Sequence, residues 1–165
     1  MTAKCCYYAT EWLHNSNMKV ISQSIVISGA IERVYQAIAN ADDFAKWFSE
    51  SVEGDFSVGS TPIIDEGKYG KFRLAIIAAE PPSYFAWRWV SGMAFVPQGF
   101  VGDVLSHPNT LVEFFLESVE GGTRVTVKES GWESLPDSYR DQNFEDNTGG
   151  WEFQLAACKK FVESE

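Results

Sequence analysis

The sequence predicts an α+β domain in which an antiparallel sheet closes on one long C-terminal helix. Thr110–Glu117 and Thr123–Glu129 each alternate along the chain, and Glu120-Gly121-Gly122 joins them, the pattern of a β-hairpin. After Gly131-Trp132 and Pro136, apolar or small residues recur at Phe144, Thr148, Trp151, Leu155, Cys158 and Val162. Those steps of four and three put all six on one helical face, which predicts a helix over roughly 136–163. The central strands are joined by turns too short for a helical crossover, which disfavours parallel βαβ units.

The elements follow in order. Val20 to Ile27 reads as a strand, with Ile21, Ile25 and Ile27 on one face and Ser22 and Ser24 on the other. Ser28 stands where a helix N-cap would, ahead of an apolar stripe at Ile31, Val34, Tyr35 and Ile38. Asn40 and Asp43 form a plausible reciprocal cap for a second short helix that buries Phe44, Trp47 and Phe48. Val52–Val58 is short strand or bend, and Pro62–Asp65 a further brief strand before a turn at Glu66-Gly67-Lys68. Gly70–Ala79 is a firm strand that Pro81-Pro82 ends, because proline cannot donate a ladder hydrogen bond. Tyr84–Val90 follows, with Phe85, Trp87 and Trp89 on one side and Tyr84 and Arg88 on the other. Residues 91–109 are loop-like, and a connection of that length is more often functional or mobile than idle.

At 165 residues the chain suits one domain with a core that needs no disulfides. Residues 1–18 read as an N-terminal extension and 19–165 as a single domain. A formal charge of −10, with no Lys/Arg cluster, disfavours nucleic acid and anionic membrane surfaces. No apolar run spans a bilayer and the N-terminus lacks secretory-signal features, so the default location is cytoplasmic, without membrane insertion. Cys5, Cys6 and Cys158 point to a reduced compartment rather than a disulfide framework. His14 and His107 lack the spacing of a metal site, so neither a metal nor another cofactor is expected. No Ser/His/Asp arrangement or phosphate-cradling loop appears, which weighs against an enzyme.

The aromatic load of six Trp, six Tyr and twelve Phe fills a core or lines a pocket. Phe72, Trp87, Trp89, Phe114, Trp132, Phe144 and Trp151 are the candidate pocket walls, with core filling as the equal alternative. Gly149-Gly150 within the long helix costs about 1 kcal/mol per residue relative to alanine. Its compensation is a kink, close packing against a strand (the favoured reading) or room for a ligand, which makes Gly150 a binding candidate; alternatively the helix starts near residue 148, capped by Asp146 or Asn147, with the glycines in its first turn. Arg73 and Arg88 lie on the solvent face or project inward as polar anchors. His107, in the long loop, and Glu113 are further possible polar anchors, although Glu113 and Glu129 read first as solvent-face glutamates that nothing brings into one cleft.

Several segments together resemble a known family. These are Ile25-Val26-Ile27-Ser28 with Val34-Tyr35-Gln36-Ala37-Ile38 and Phe44-Ala45-Lys46-Trp47-Phe48, Glu80-Pro81-Pro82 before Phe85-Ala86-Trp87, Gly122–Val127 with Glu129-Ser130-Gly131, and Gly149-Gly150-Trp151. In order and spacing they look like proteins of the activator of Hsp90 ATPase type, C-terminal-domain class, over about residues 20–163. The resemblance implies a helix-grip fold, of the kind shared by START and pollen-allergen-like proteins. In that fold a curved sheet of about six antiparallel strands grips the C-terminal helix, often around a hydrophobic cavity. Some eukaryotic members are Hsp90 co-chaperones, and relatives in the superfamily bind lipids or aromatic compounds. The expected function is therefore non-enzymatic binding of a small hydrophobic or aromatic molecule in that cavity. A protein-interaction module, homodimeric or co-chaperone-like, is the alternative, its motive the aromatic segment Tyr7–Leu13. An enzyme acting on a small apolar substrate in the same cavity comes third. A single domain without a companion region argues against a chaperone partner.

Overall fold

The computed structural model describes residues 18–165; Cys5, Cys6, His14 and the Tyr7–Leu13 segment lie outside the described residues. β1 (Ile21–Ile27) leads into two short helices, α1 (Ile31–Ala39) and α2 (Ala41–Phe44). Seven more strands follow: β2 (Ser51–Glu53), β3 (Ile63–Asp65), β4 (Lys71–Glu80), β5 (Tyr84–Trp89), β6 (Gly99–Phe100), β7 (Thr110–Val119) and β8 (Gly122–Ser130). α3 (Asp137–Glu163) closes the chain, within a residue of its predicted start. The strand order is β1-β8-β7-β5-β4-β3-β2, antiparallel throughout, with β6 added as a two-residue parallel bridge on β4. Eight strands stand where about six were expected, because the short β2, β3 and β6 count separately.

Alternation decides which face is inside. Trp87, Trp89, Val112, Phe114, Val125 and Val127 point to one side, and α3 lies on that side through Trp151, Leu155, Cys158 and Val162, all buried. The Trp151 ring centroid is 6.2 Å from Trp87, 6.0 Å from Trp89 and 5.7 Å from Phe114. Phe44 and Phe48 of the α2 region stack at 4.4 Å and meet Trp87 edge-on, so aromatic side chains fill the space between sheet and helix.

The caps separate in detail. Asn40 Oδ1 accepts from Asp43 N–H at 3.1 Å, as its spacing predicts. Ser28 does not cap α1, which starts after Ala30 with no side-chain cap; Ser28 N–H instead donates to Glu163 at the far end of α3. Segment 91–109 is not an idle loop. Phe95, Val96, Phe100 and Val104 pack on Ala75 and Val90 and cover the outer face of β4 and β5. Gly92 makes the turn into it at φ +107°, where a Cβ would lie 2.3 Å from Asn143 Cγ of α3, so only glycine fits.

A cleft beside the closing helix

The residues next to the buried face of α3 form a second stripe. Asn143, Asn147, Gly150 and Gln154 each stand one position before Phe144, Thr148, Trp151 and Leu155, and are turned about 100° from them. That stripe faces the end of β5, the segment Ser91–Met93 and the turn at Glu66–Tyr69. Between them opens a cleft of about 610 Å³ whose walls include Phe72, Trp89, Met93, Gly150 and Phe153. Continuous with it through Glu66, Trp89, Asn147, Gly150 and Gln154 is a recess of about 100 Å³ that also touches Phe48 and Trp151. Three large apolar side chains at the mouth stay exposed: Phe153 at 72%, Tyr69 at 45% and Met93 at 36%.

Behind the recess lies the least expected group of the molecule. Glu129 is fully buried, although it reads as a solvent-face residue in sequence. The reason is the alternation of β8, which turns Glu129 to the same side as Val125 and Val127. Its carboxylate accepts from Trp89 Nε1–H at 2.9 Å, Trp151 Nε1–H at 2.7 Å, Thr110 Oγ1–H at 2.6 Å and Asn147 Nδ2–H at 3.1 Å. Burial pushes this carboxyl upward, and the hydrogen bonds from Thr110, Trp151, Trp89 and Asn147 oppose the rise. Every partner is a donor, so the set suits an ionised acceptor and fixes both indole rings that wall the recess.

Glu66 is the second perturbed acid. It is half-buried at the cleft wall, and burial raises its carboxyl to about 7. Gln154 donates from Nε2 to Phe48 O at 3.2 Å, while its Oε1 is buried with no partner among the described residues.

The predicted pocket residues divide. Phe72, Trp89 and Gly150 line the cleft and Trp151 joins them at the recess. Trp87 and Phe114 are wholly buried core, and Trp132 pairs edge-on with Phe144 at 5.4 Å nearer the start of α3. The expected polar anchors do not converge. Arg73 donates to Val101 O and Thr61 O, each at 2.9 Å, and holds the 91–109 segment on the outer face. Arg88 donates to Asn109 Oδ1 at 3.1 Å, also on the face away from α3. His107 is exposed, with its ring 4.7 Å from Phe100. Glu113 accepts from Tyr84 O–H at 2.7 Å on the outer face. The glycine pair is not a tight contact either, since added Cβ atoms at Gly149 and Gly150 meet nothing within 4 Å. Glu66, Glu129, Asn147 and Gln154 were missed as site residues, and of these only Glu129 carried a sequence signal.

Among the described residues no cluster of three or more His, Cys, Asp or Glu side chains could hold a metal ion, and no helix is long and apolar enough to cross a membrane.

Residues 29–163 match the family described as activator of Hsp90 ATPase homolog 1-like protein. No curated protein sequence matches the chain. Solved structures resemble it at low identity. The Aha1 dimer from Colwellia psychrerythraea is 24% identical with TM-score 0.68, covering 88% of this chain and 97% of that one. A protein from Mesorhizobium loti is 16% identical with TM-score 0.70, covering 88% and 98%. One from Chromobacterium violaceum is 20% identical with TM-score 0.64, covering 87% and 96%. At these identities the likeness carries the fold, and the helix-grip architecture is thereby established. The family match corrects the expectation against a chaperone partner, since its description names an activator of the Hsp90 ATPase.

Proposed function

Because the chain belongs to the activator of Hsp90 ATPase homolog 1-like family, we propose that it is a non-enzymatic protein-interaction module whose partner is a chaperone of the Hsp90 class. The docking surface we assign is the cleft beside α3. The observation that carries this is its exposed apolar rim of Phe153, Tyr69 and Met93 around an aromatic floor. Contiguous apolar surface rimmed by polar groups is a common mark of a protein interface. Aromatic side chains occupy the interior between sheet and helix, which favours a partner held at the surface over a small molecule enclosed inside.

The test uses the full chain and the Hsp90-class chaperone of its own source. Calorimetric titration should show binding, and the chaperone's ATP turnover should change when the chain is added. Phe153→Ala should weaken binding by about tenfold, the size of a modest interface hot spot. Phe153 is so exposed that the variant's folding should be unaffected. Absence of binding by the unaltered protein would sink the proposal, and an unchanged Phe153→Ala affinity would move the docking surface elsewhere.

A further inference from the structure

We infer that the recess beneath this cleft is a site for an organic cation, an ammonium or guanidinium on an apolar stem, which the chaperone partner presents as a lysine or arginine side chain. The inference deepens the docking proposal and rests on it for the source of the cation.

The hydrogen-bonding inventory of the recess carries the argument. Most of its donors are already engaged. Trp89 and Trp151 both give their indole N–H to Glu129. Asn147 Nδ2 is shared between Glu129 and Ser91 Oγ, the latter at 3.1 Å. Gln154 Nε2 is turned to Phe48 O. What the wall has left to offer is acceptors: Gln154 Oε1, the carbonyl end of Asn147 and the Glu66 carboxyl, whose ionised form a bound cation favours. Ammonium and guanidinium groups are donor-only, the exact complement of such a wall in kind.

Ring geometry points the same way. Phe48, Trp89 and Trp151 lie at mutual centroid separations of 6.3, 5.8 and 6.0 Å and all three line the recess. Aromatic faces attract a cation within about 6 Å, most strongly where water is excluded. The volume of about 100 Å³ suits a cationic head and not a folded peptide segment. The wider cleft above it has room for the stem, against Phe72 and Met93. Its lining includes Asp146 beside Glu66 and no basic side chain, so the local field has the sign a cation needs.

Butylguanidinium is the probe, with n-pentanol as its neutral counterpart, each followed by NMR at the indole N–H resonances of Trp89 and Trp151 and the side-chain amide of Gln154. Butylguanidinium should shift these three saturably and pentanol should not. Glu66→Gln, which keeps shape and removes charge, should weaken the cation by about tenfold, the loss of a charge-assisted hydrogen bond. Equal response to pentanol, or an unchanged cation affinity in Glu66→Gln, overturns the site. Chaperone titration of the same variant then tests the source. A loss comparable to that of the probe supports a partner side chain as occupant. Chaperone binding that ignores Glu66→Gln while the probe does not would assign the recess to a free amine and overturn the partner source. If the chaperone binds neither protein, the docking proposal falls, and the probe titration alone judges the cation site.

Discussion

Glu66 and Glu129 are acids held by opposite means, and their variants should behave oppositely. Glu66 is raised to about 7 from an ordinary 4.5 by burial alone. A carboxyl whose folded value lies above its unfolded one binds more protons when folded, so stability falls as pH climbs from about 4.5 to about 7. Glu66→Gln removes that loss. We expect urea denaturation to show a gain of about 1–3 kcal/mol at pH 8, discounted for partial exposure, and almost none at pH 4. A variant less stable than the parent at pH 8 would show that the carboxylate is compensated. Glu129 instead serves four donor side chains, and its amide would turn an N–H₂ toward indole and amide N–H groups that only give. Glu129→Gln should therefore cost about 1–3 kcal/mol by the same measurement, with a change in indole fluorescence as Trp89 and Trp151 lose their anchor. Glu129 was legible in principle, because the period that buries Val125 and Val127 buries it too. Its charge argued for solvent, and the donors that overrule the charge come from three other elements that no local pattern connects.

On the scale of elements, α3 was the most legible part, since its three-and-four spacing is a property of the helix alone. Trp151→Ala should cost about 3–5 kcal/mol on chemical denaturation, the range for emptying a large aromatic site in a core. The glycines beside it read wrongly for a physical reason. The pair directly precedes Trp151, and close packing is the usual compensation for glycine in a helix, yet their side faces solvent and the cleft. Gly149→Ala is now expected to stabilise by up to about 1 kcal/mol. Gly150→Ala should stabilise by a similar amount, and its methyl should in addition narrow the cleft and weaken chaperone binding. A loss of stability in either would mean that the backbone there is not free to accept a side chain. β6 escaped notice because two residues carry no alternation, and its place beside β4 is set by the packing of Phe100 and Val104 on the outer sheet face.

The whole molecule carries a formal charge of −10, and its cleft adds Glu66 and Asp146 to that field. Association with a basic partner surface should therefore be steered. The on-rate for the chaperone, measured by stopped flow, should drop by about tenfold between low and high salt, while dissociation changes little. A salt-independent on-rate would place the contact on an uncharged surface. The topology that sets this surface was readable as far as the hairpins, which are local, and unreadable where distant segments meet, as Asn147, Glu66 and Trp89 do. One such meeting has a consequence for biogenesis. β1 has its sheet partner in β8, from Ile21 opposite Glu129 to Ile27 opposite Thr123, and Arg33 of α1 is held by Glu165. β1, the first strand among the described residues, thus waits for a partner that is made after β2 to β7. The nascent chain carries an unpaired, isoleucine-rich edge until β8 is made, while the β4–β5 and β7–β8 hairpins close within their own neighbourhoods. Until β8 is made, this chain therefore exposes a strand edge of the kind that other chains can pair with.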